Sequence, residues 1–231
     1  MTRIENSIAL VTGGQRGLGR AFVDELLAAG AAKVYATARH PEKSDDPRVV
    51  PLRLDVADPA SVAALAEQVG DVTIVVNNAG TTVRTSLLDA TLDELNEVFA
   101  TNVYGVVGVT QAVAPILARN GGGALVNIAS VLSWVAGASV YGASKAALWS
   151  VSNSLRVELA AQGTQVVGVH LGYTDTDMTR ALDVEKNDPR QVARDTIAAV
   201  GRGETEVLAD DVSRAVKAAL SGPVEGLAFG R

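Results

Sequence analysis

Tyr141 and Lys145 stand four residues apart in Y-G-A-S-K, at the end of a stretch with no Asp, Glu, Lys or Arg since Arg119. On a helix, positions i and i+4 share a face, so both side chains can point at one spot. A free phenol has a pKa of ~10 and is a poor proton shuttle at neutral pH. A nearby ammonium favours the phenolate, and a catalytic acid works best near the working pH. The spacing therefore suits a tuned general acid. It also suits a Tyr and a Lys on an ordinary amphipathic helix, and the pair alone does not decide.

A second stretch bears on the choice. The apolar run Ser7–Thr12 leads straight into T12-G-G-Q-R-G-L-G19, and a helical pattern follows. Glycines at 13, 17 and 19 allow a tight turn and close approach of backbone to a phosphate. The helix start then offers free N–H groups and the positive end of its dipole. A plain strand-to-helix turn is the alternative, but the place of this turn after the first strand favours a nucleotide site.

These residues need elements to hold them. Apolar β-branched runs fall at 7–12, 33–37, 49–54, 72–76, 123–129, 164–170 and 226–229, with helical patterns between them at 18–29, 59–69, 91–100, 103–118, 138–161, 189–200 and 210–220. The runs are continuous rather than alternating, as in strands buried on both faces. Alternating strand and helix predicts an α/β fold: one doubly wound parallel sheet of Rossmann type, in a single domain over 1–231. Thr174 to Asp188, rich in Asp and Thr, reads as a substrate-side loop at the carboxyl edge of the sheet.

Composition narrows the function. Hydrophobic residues make up 48% of the 231, which is material for a full core. The net charge of −6, with no long basic run, argues against nucleic acid as a partner. With no cysteine, thiolate chemistry is excluded and the chain suits a reducing, cytoplasmic setting. The N-terminus does not read as a signal peptide. The uncharged run after Arg119 holds three consecutive glycines, Asn127 and several serines, which argues against a membrane span. No His/Asp/Glu cluster has metal-ligand spacing, so no metal is expected.

T12-G-G-Q-R-G-L-G19, N77-N-A-G80, Asn102 and Y141-G-A-S-K145, in this order, resemble the short-chain dehydrogenase/reductase family. The resemblance runs from the first strand to about Met178. It implies a nicotinamide cofactor and hydride transfer to or from a carbonyl carbon. It assigns Tyr141 as the acid and Lys145 as the residue that also holds the nicotinamide ribose. Ser130, at the end of N127-I-A-S130, takes the serine that bonds the substrate oxygen, with Ser133 a competing candidate. Asn102 takes the asparagine that holds a water in a proton relay. The cofactor is carried onto Gly13, Gln15, Arg16, Gly17, Leu18, Gly19, Arg39, Asp55, Val56, Asn78, Ala79, Gly80, Tyr141, Lys145, Gly172, Thr174 and Thr176.

Two departures stand out. Ser130 lies eleven residues before Tyr141, a couple fewer than usual, so the loop between them is short. Leu171-Gly172 stands where the family usually has Pro-Gly, and without the proline the turn is less preorganised.

The form of the cofactor is legible at Ala38-Arg39. An Asp or Glu at the end of the second strand would bond the ribose 2′-hydroxyl of NAD and repel a 2′-phosphate. Here the position is Ala38, followed by Arg39, with Arg16 a second cation; guanidinium forks well onto phosphate, so NADP(H) is expected. The substrate is expected to be a small, mostly apolar carbonyl or alcohol. The alternative is a non-catalytic NADP-binding sensor or scaffold of the same fold. Trp134 either lines the pocket or packs, and His170 reads as a strand-end residue. Val106, Val109, Val113 and Leu117 are expected to form an apolar strip through which two copies pair, as a homodimer or a homotetramer built from it.

Overall fold

A computed structural model of the chain describes residues 1–228. Seven strands form one sheet: β1 Ile8–Val11, β2 Lys33–Ala38, β3 Val49–Arg53, β4 Ile74–Asn77, β5 Ala124–Ile128, β6 Gln165–His170 and β7 Glu206–Leu208. Their order is β3-β2-β1-β4-β5-β6-β7, and every pairing is parallel. The chain steps outward from β1 to β3 and then returns to set β4 beside β1. That reversal opens a crevice at the carboxyl ends of β1 and β4.

The continuous apolar strands are explained by helices on both faces. On one side, α1 (Gly17–Ala28) and α6 (Pro189–Arg202) cover Ala9, Val11, Val126 and Val169 with Phe22, Leu26, Val192 and Ile197. On the other, α2 (Pro59–Ala66) and α4 (Gly105–Arg119) cover Leu10, Val75 and Leu125 with Leu65, Val113 and Leu117. Adjacent strand residues thus bury into opposite layers, as a period of two requires. The remaining helices are α3 (Leu92–Phe99), α5 (Ser139–Glu158) and α7 (Asp211–Ala219).

Several helix starts are closed by their own side chains. Asp58 and Asp188 cap α2 and α6 just ahead of a proline, Thr91 and Glu94 form a capping box on α3, and Asp210 caps α7. The start of α1, at the glycine turn, has no such side-chain bond and no acidic residue in its first turn. Its N–H groups stay available, as anion binding needs.

Two expectations are corrected. The seventh strand is not at 226–229 but at Glu206–Leu208, a run so short and so close to charged residues that it gave no apolar signal. Val224–Leu227 is a 3₁₀ turn, Ala228 makes a single bridge to Ala136, and position 229 lies outside the described residues. The strip assigned to a partner copy is used within the chain: Val106, Val109, Val113 and Leu117 are all buried, the last three in the layer against the sheet. A sheet face with no charged side chains needs that whole helix face to cover it. The helical run Leu92–Arg119 is long and apolar enough to cross a membrane by length and composition, but half of its most apolar 18-residue stretch is buried inside the protein.

Candidate active site

The glycine turn connects β1 to α1. Gly13 and Gly17 take positive φ, at 63° and 51°. A Cβ on Gly19 would fall 2.1 Å from the Gly13 carbonyl oxygen, so no side chain fits where the helix folds back on the turn. Leu18 turns into the core. Gln15 is spent on structure: its side-chain amide exchanges two bonds with the Glu42 backbone, at 2.8 and 2.9 Å. Arg16 and Arg39 are exposed, and among the described residues neither side chain has an ionic or hydrogen-bond partner.

β4 delivers Asn78, Ala79 and Gly80 beside this turn. The Asn78 carboxamide donates to the Thr12 and Gly13 carbonyls at 2.9 and 3.3 Å. The Thr12 hydroxyl accepts from the backbone N–H of Asn78 and of Ala79, at 2.9 and 3.0 Å. Thr12 therefore ties β1 to β4 at the crevice. It belongs with the site residues and was passed over, although it is the first letter of the glycine motif. Asp55 folds back on the Ala57 N–H, and Val56 packs against Gly105 at the start of α4. Thr176 sets its methyl against Gly17, and the Thr174 hydroxyl donates to the Gly172 carbonyl.

The second group of residues converges on α5. Its first turns lie close under the short loop: a Cβ on Gly142 would sit 2.3 Å from that of Ala138, which is why Y-G-A-S-K needs its glycine. Lys145 is buried, and its Nζ donates to the Ile128 carbonyl at 2.7 Å and lies 5.6 Å from the centroid of the Tyr141 ring. The same ammonium and Asn102 Oδ1 both border Gly80.

Asn102 sits in a π-helical turn, Ala100–Tyr104, between α3 and α4. Such turns recur at functional sites. Its Oδ1 accepts from Thr81 N, and its Nδ2 donates to the Thr81 carbonyl and to Ser144 Oγ at 3.0 Å. Ser144 donates in turn to the Tyr141 carbonyl. Both N–H groups of Asn102 are thus committed to protein, so its side chain has no donor left for a water. Ser144, inside the Y-G-A-S-K motif, is a second residue missed by the sequence reading.

Ser130 closes β5 and caps the following 3₁₀ turn by accepting from Leu132 N. Its hydroxyl stands beside the Tyr141 phenol and pulls that pKa down, while burial pushes it the other way, up to about 12. Burial also brings Lys145 down to about 8. In the protein without cofactor, burial thus outweighs the Ser130 bond at the half-buried phenol and acts on the buried ammonium in the opposite direction. Ser133, the rival serine, donates to the Lys145 carbonyl and is occupied. Trp134 is buried behind Ser130, flat on the buried His170 and edge-on to the half-buried Trp149, so it packs. The 174–188 segment has no helix or extended strand; Thr174 and Asn187 bridge its two ends.

Residues 7–187 match the family described as short chain dehydrogenase. The chain belongs to the short-chain dehydrogenase/reductase family. It is 38% identical over 189 residues to the 3-oxoacyl-[acyl-carrier-protein] reductase of Salmonella typhimurium, covering 77% of this chain and 78% of that one. It is 29% identical over 241 residues to the NADP-dependent 3-hydroxy acid dehydrogenase of Schizosaccharomyces pombe, covering 91% and 93%. A crystal structure of a short chain dehydrogenase from Burkholderia cenocepacia in complex with NADP superposes with a TM-score of 0.91 at 32% identity, over 97% of each chain. The protein is thus an oxidoreductase of this family on a Rossmann-type fold.

Proposed function

We propose that this short-chain dehydrogenase/reductase is an NADP(H)-dependent reductase or dehydrogenase of small, mostly apolar carbonyls or alcohols. The observation that carries the reading is the junction at Gly80, where the buried Lys145 ammonium and the Asn102 carboxamide meet the edge of the glycine crevice. A proton-transfer group beside a dinucleotide cradle is what this reading requires, and the junction supports it.

The cradle fits the cofactor on its own terms. The start of α1 is uncapped, Gly13 and Gly17 hold a turn that leaves backbone open, and Ala38 offers no carboxylate at the end of β2. Arg16 and Arg39 supply guanidinium groups, unpaired among the described residues, for a 2′-phosphate. Relatives named for NADP support the same choice.

When bound, the nicotinamide gives or takes the hydride. The chain's residues manage the proton. Tyr141, held protonated by burial, donates to the substrate oxygen in the direction of reduction. Ser130 orients that oxygen and stabilises the charge that grows on it. Lys145 stands behind the phenol, anchored on the Ile128 carbonyl, and serves the cofactor ribose. Asn102 acts through the groups it holds: it fixes Thr81 and, through Ser144, the backbone of Tyr141.

The test is NADPH consumption against a panel of ketones, aldehydes and 3-oxoacyl thioesters, with NADH in parallel. Turnover of at least one carbonyl with NADPH preferred supports the reading. Binding of NADPH with no turnover across the panel favours a sensor or scaffold instead.

A further inference from the structure

Asp210 joins three parts of the chain that are far apart in sequence. Its Oδ1 accepts from Ser213 N at 2.7 Å, which caps α7. Its Oδ2 accepts from Gly172 N at 2.6 Å and from Asn187 Nδ2 at 2.6 Å. A helix cap needs only the first of these bonds. The other two reach the turn after β6 and the far end of the 174–188 segment.

The chain beyond each bond is also fixed. Asn187 N donates to the Tyr173 carbonyl, and Asp175 N donates to the Asn187 carbonyl. The carboxylate thus draws the two ends of the segment together. Between those ends, Thr176 leans on Gly17 of the glycine turn. On the other side, the Leu171 carbonyl accepts from Val131 N at 3.0 Å, directly after Ser130. The contact is close: a Cβ on Gly172 would stand 3.1 Å from Oδ2. Burial raises the Asp210 pKa, but the N–H groups of Gly172 and Ser213, the Ser213 side chain and the Asn187 amide outweigh it and hold the group ionised.

We infer that Asp210 is a positioning residue that replaces the missing proline, latching the Leu171-Gly172 turn and both ends of the 174–188 segment over the cofactor crevice. A proline preorganises a turn by restricting the unfolded chain. Three converging bonds to one carboxylate achieve a comparable result from the folded side. The inference rests on the NADP(H) reading and goes beyond it, since Asp210 lies outside every family motif in the sequence.

Asp210→Asn separates the latch from the fold. Asn keeps an acceptor for Ser213 and caps a helix about as well as Asp. It also puts an NH₂ where Oδ2 now accepts from Gly172 and Asn187. NADPH affinity is read by direct fluorescence titration, and order in the 173–187 backbone by hydrogen exchange of the free protein. The expected result is a Kd for NADPH raised about tenfold. Exchange at 173–187 should be faster, and kcat at saturating NADPH should stay within about twofold. Adding Leu171→Pro to Asp210→Asn should recover most of the lost affinity. Residue 170 ends a strand, the extended conformation a following proline requires, and Leu171 N–H donates no bond among the described residues. If Asp210→Asn folds poorly, Asn187→Ala removes one latch bond and should give a smaller loss of the same kind. Unchanged affinity and unchanged exchange in the variant, with NADPH bound normally by the native chain, overturn the latch alone. A native chain that binds neither NADPH nor NADH overturns the cofactor reading and the latch together.

Discussion

Trp134 lies flat on His170, with ring centroids 3.9 Å apart and planes 20° from parallel. The histidine is buried, and its Nδ1 meets the Ser130 carbonyl at 3.1 Å. A carbonyl only accepts, so Nδ1 carries the proton and Nε2 is bare. Burial is the main reason that its pKa falls to about 4; Lys217 and Arg156 add to the fall, and the Ser130 bond and Glu206 resist it. Between pH 6.5 and 4 the unfolded chain holds a proton that the folded chain lacks. Stability contributed by this site is therefore lost as pH drops through that window. His170→Phe keeps a ring against Trp134 and removes the titration. It should cost about 1–3 kcal/mol at pH 7, because the Ser130 carbonyl loses its donor. The gap to the native chain should narrow toward pH 4. Denaturant titrations at pH 7, 5.5 and 4 would show it, and a constant gap would contradict it.

The sheet and the pairing of Tyr141 with Lys145 on one helix face were readable because their signals are local. Ala9, Leu10 and Val11 are consecutive and all buried, which only a strand covered on both faces explains. Tyr141 and Lys145 share a face by helix geometry alone. What stayed hidden depends on partners distant in sequence. β7 is three residues long and is a strand because Gly168–His170 pairs with it. Asp210 reads as a helix cap until Gly172 and Asn187 are seen beside it. The valine strip on α4 was misassigned because periodicity shows that a face is apolar and not which surface covers it. Spacing gives proximity and says nothing of burial, which is the larger influence on the phenol.

The end of β2 should set the choice of cofactor. Ala38 pairs in register with Arg53, and Arg39 follows it with no side-chain partner among the described residues. Ala38→Asp would place a carboxylate where a 2′-phosphate is expected. The ratio of kcat/KM for NADPH over NADH should fall by on the order of tenfold or more, the effect of ~1.4 kcal/mol. Steady-state kinetics with both cofactors and one substrate decides this. An unchanged ratio would place the 2′-phosphate elsewhere.

Lys145 should leave a pH signature in the protein without cofactor. Its ordinary pKa of 10.5 falls to about 8 through burial. Between these values the unfolded chain holds a proton that the folded chain has released, so native stability gains as pH rises across the window. Lys145→Met removes the charge and keeps most of the volume. The native chain should therefore gain stability relative to this variant from pH 8 to 10. Melting curves of both proteins at pH 7, 8.5 and 10 test it, and parallel trends would show that the ammonium is better solvated than its burial implies.

Tyr141→Phe removes one hydroxyl from a residue whose backbone is fixed independently, through Ser144 and Asn102. The fold and the glycine crevice do not depend on that oxygen. Its loss strips the site of its proton donor while Lys145 and Ser130 stay in place. General acid catalysis of this kind is worth ~10²–10⁴-fold, so kcat should collapse by that factor. The Kd for NADPH should stay within about threefold of the native value, since the phenol contributes little binding beside the crevice. Ser130→Ala should lower kcat less and leave KM nearly unchanged, because its bond strengthens as charge grows on the substrate oxygen. Both variants are measured by stopped-flow NADPH oxidation under single-turnover conditions, with fluorescence titration for affinity. A Tyr141→Phe enzyme that binds NADPH normally and keeps near-native turnover would remove the phenol from the chemistry.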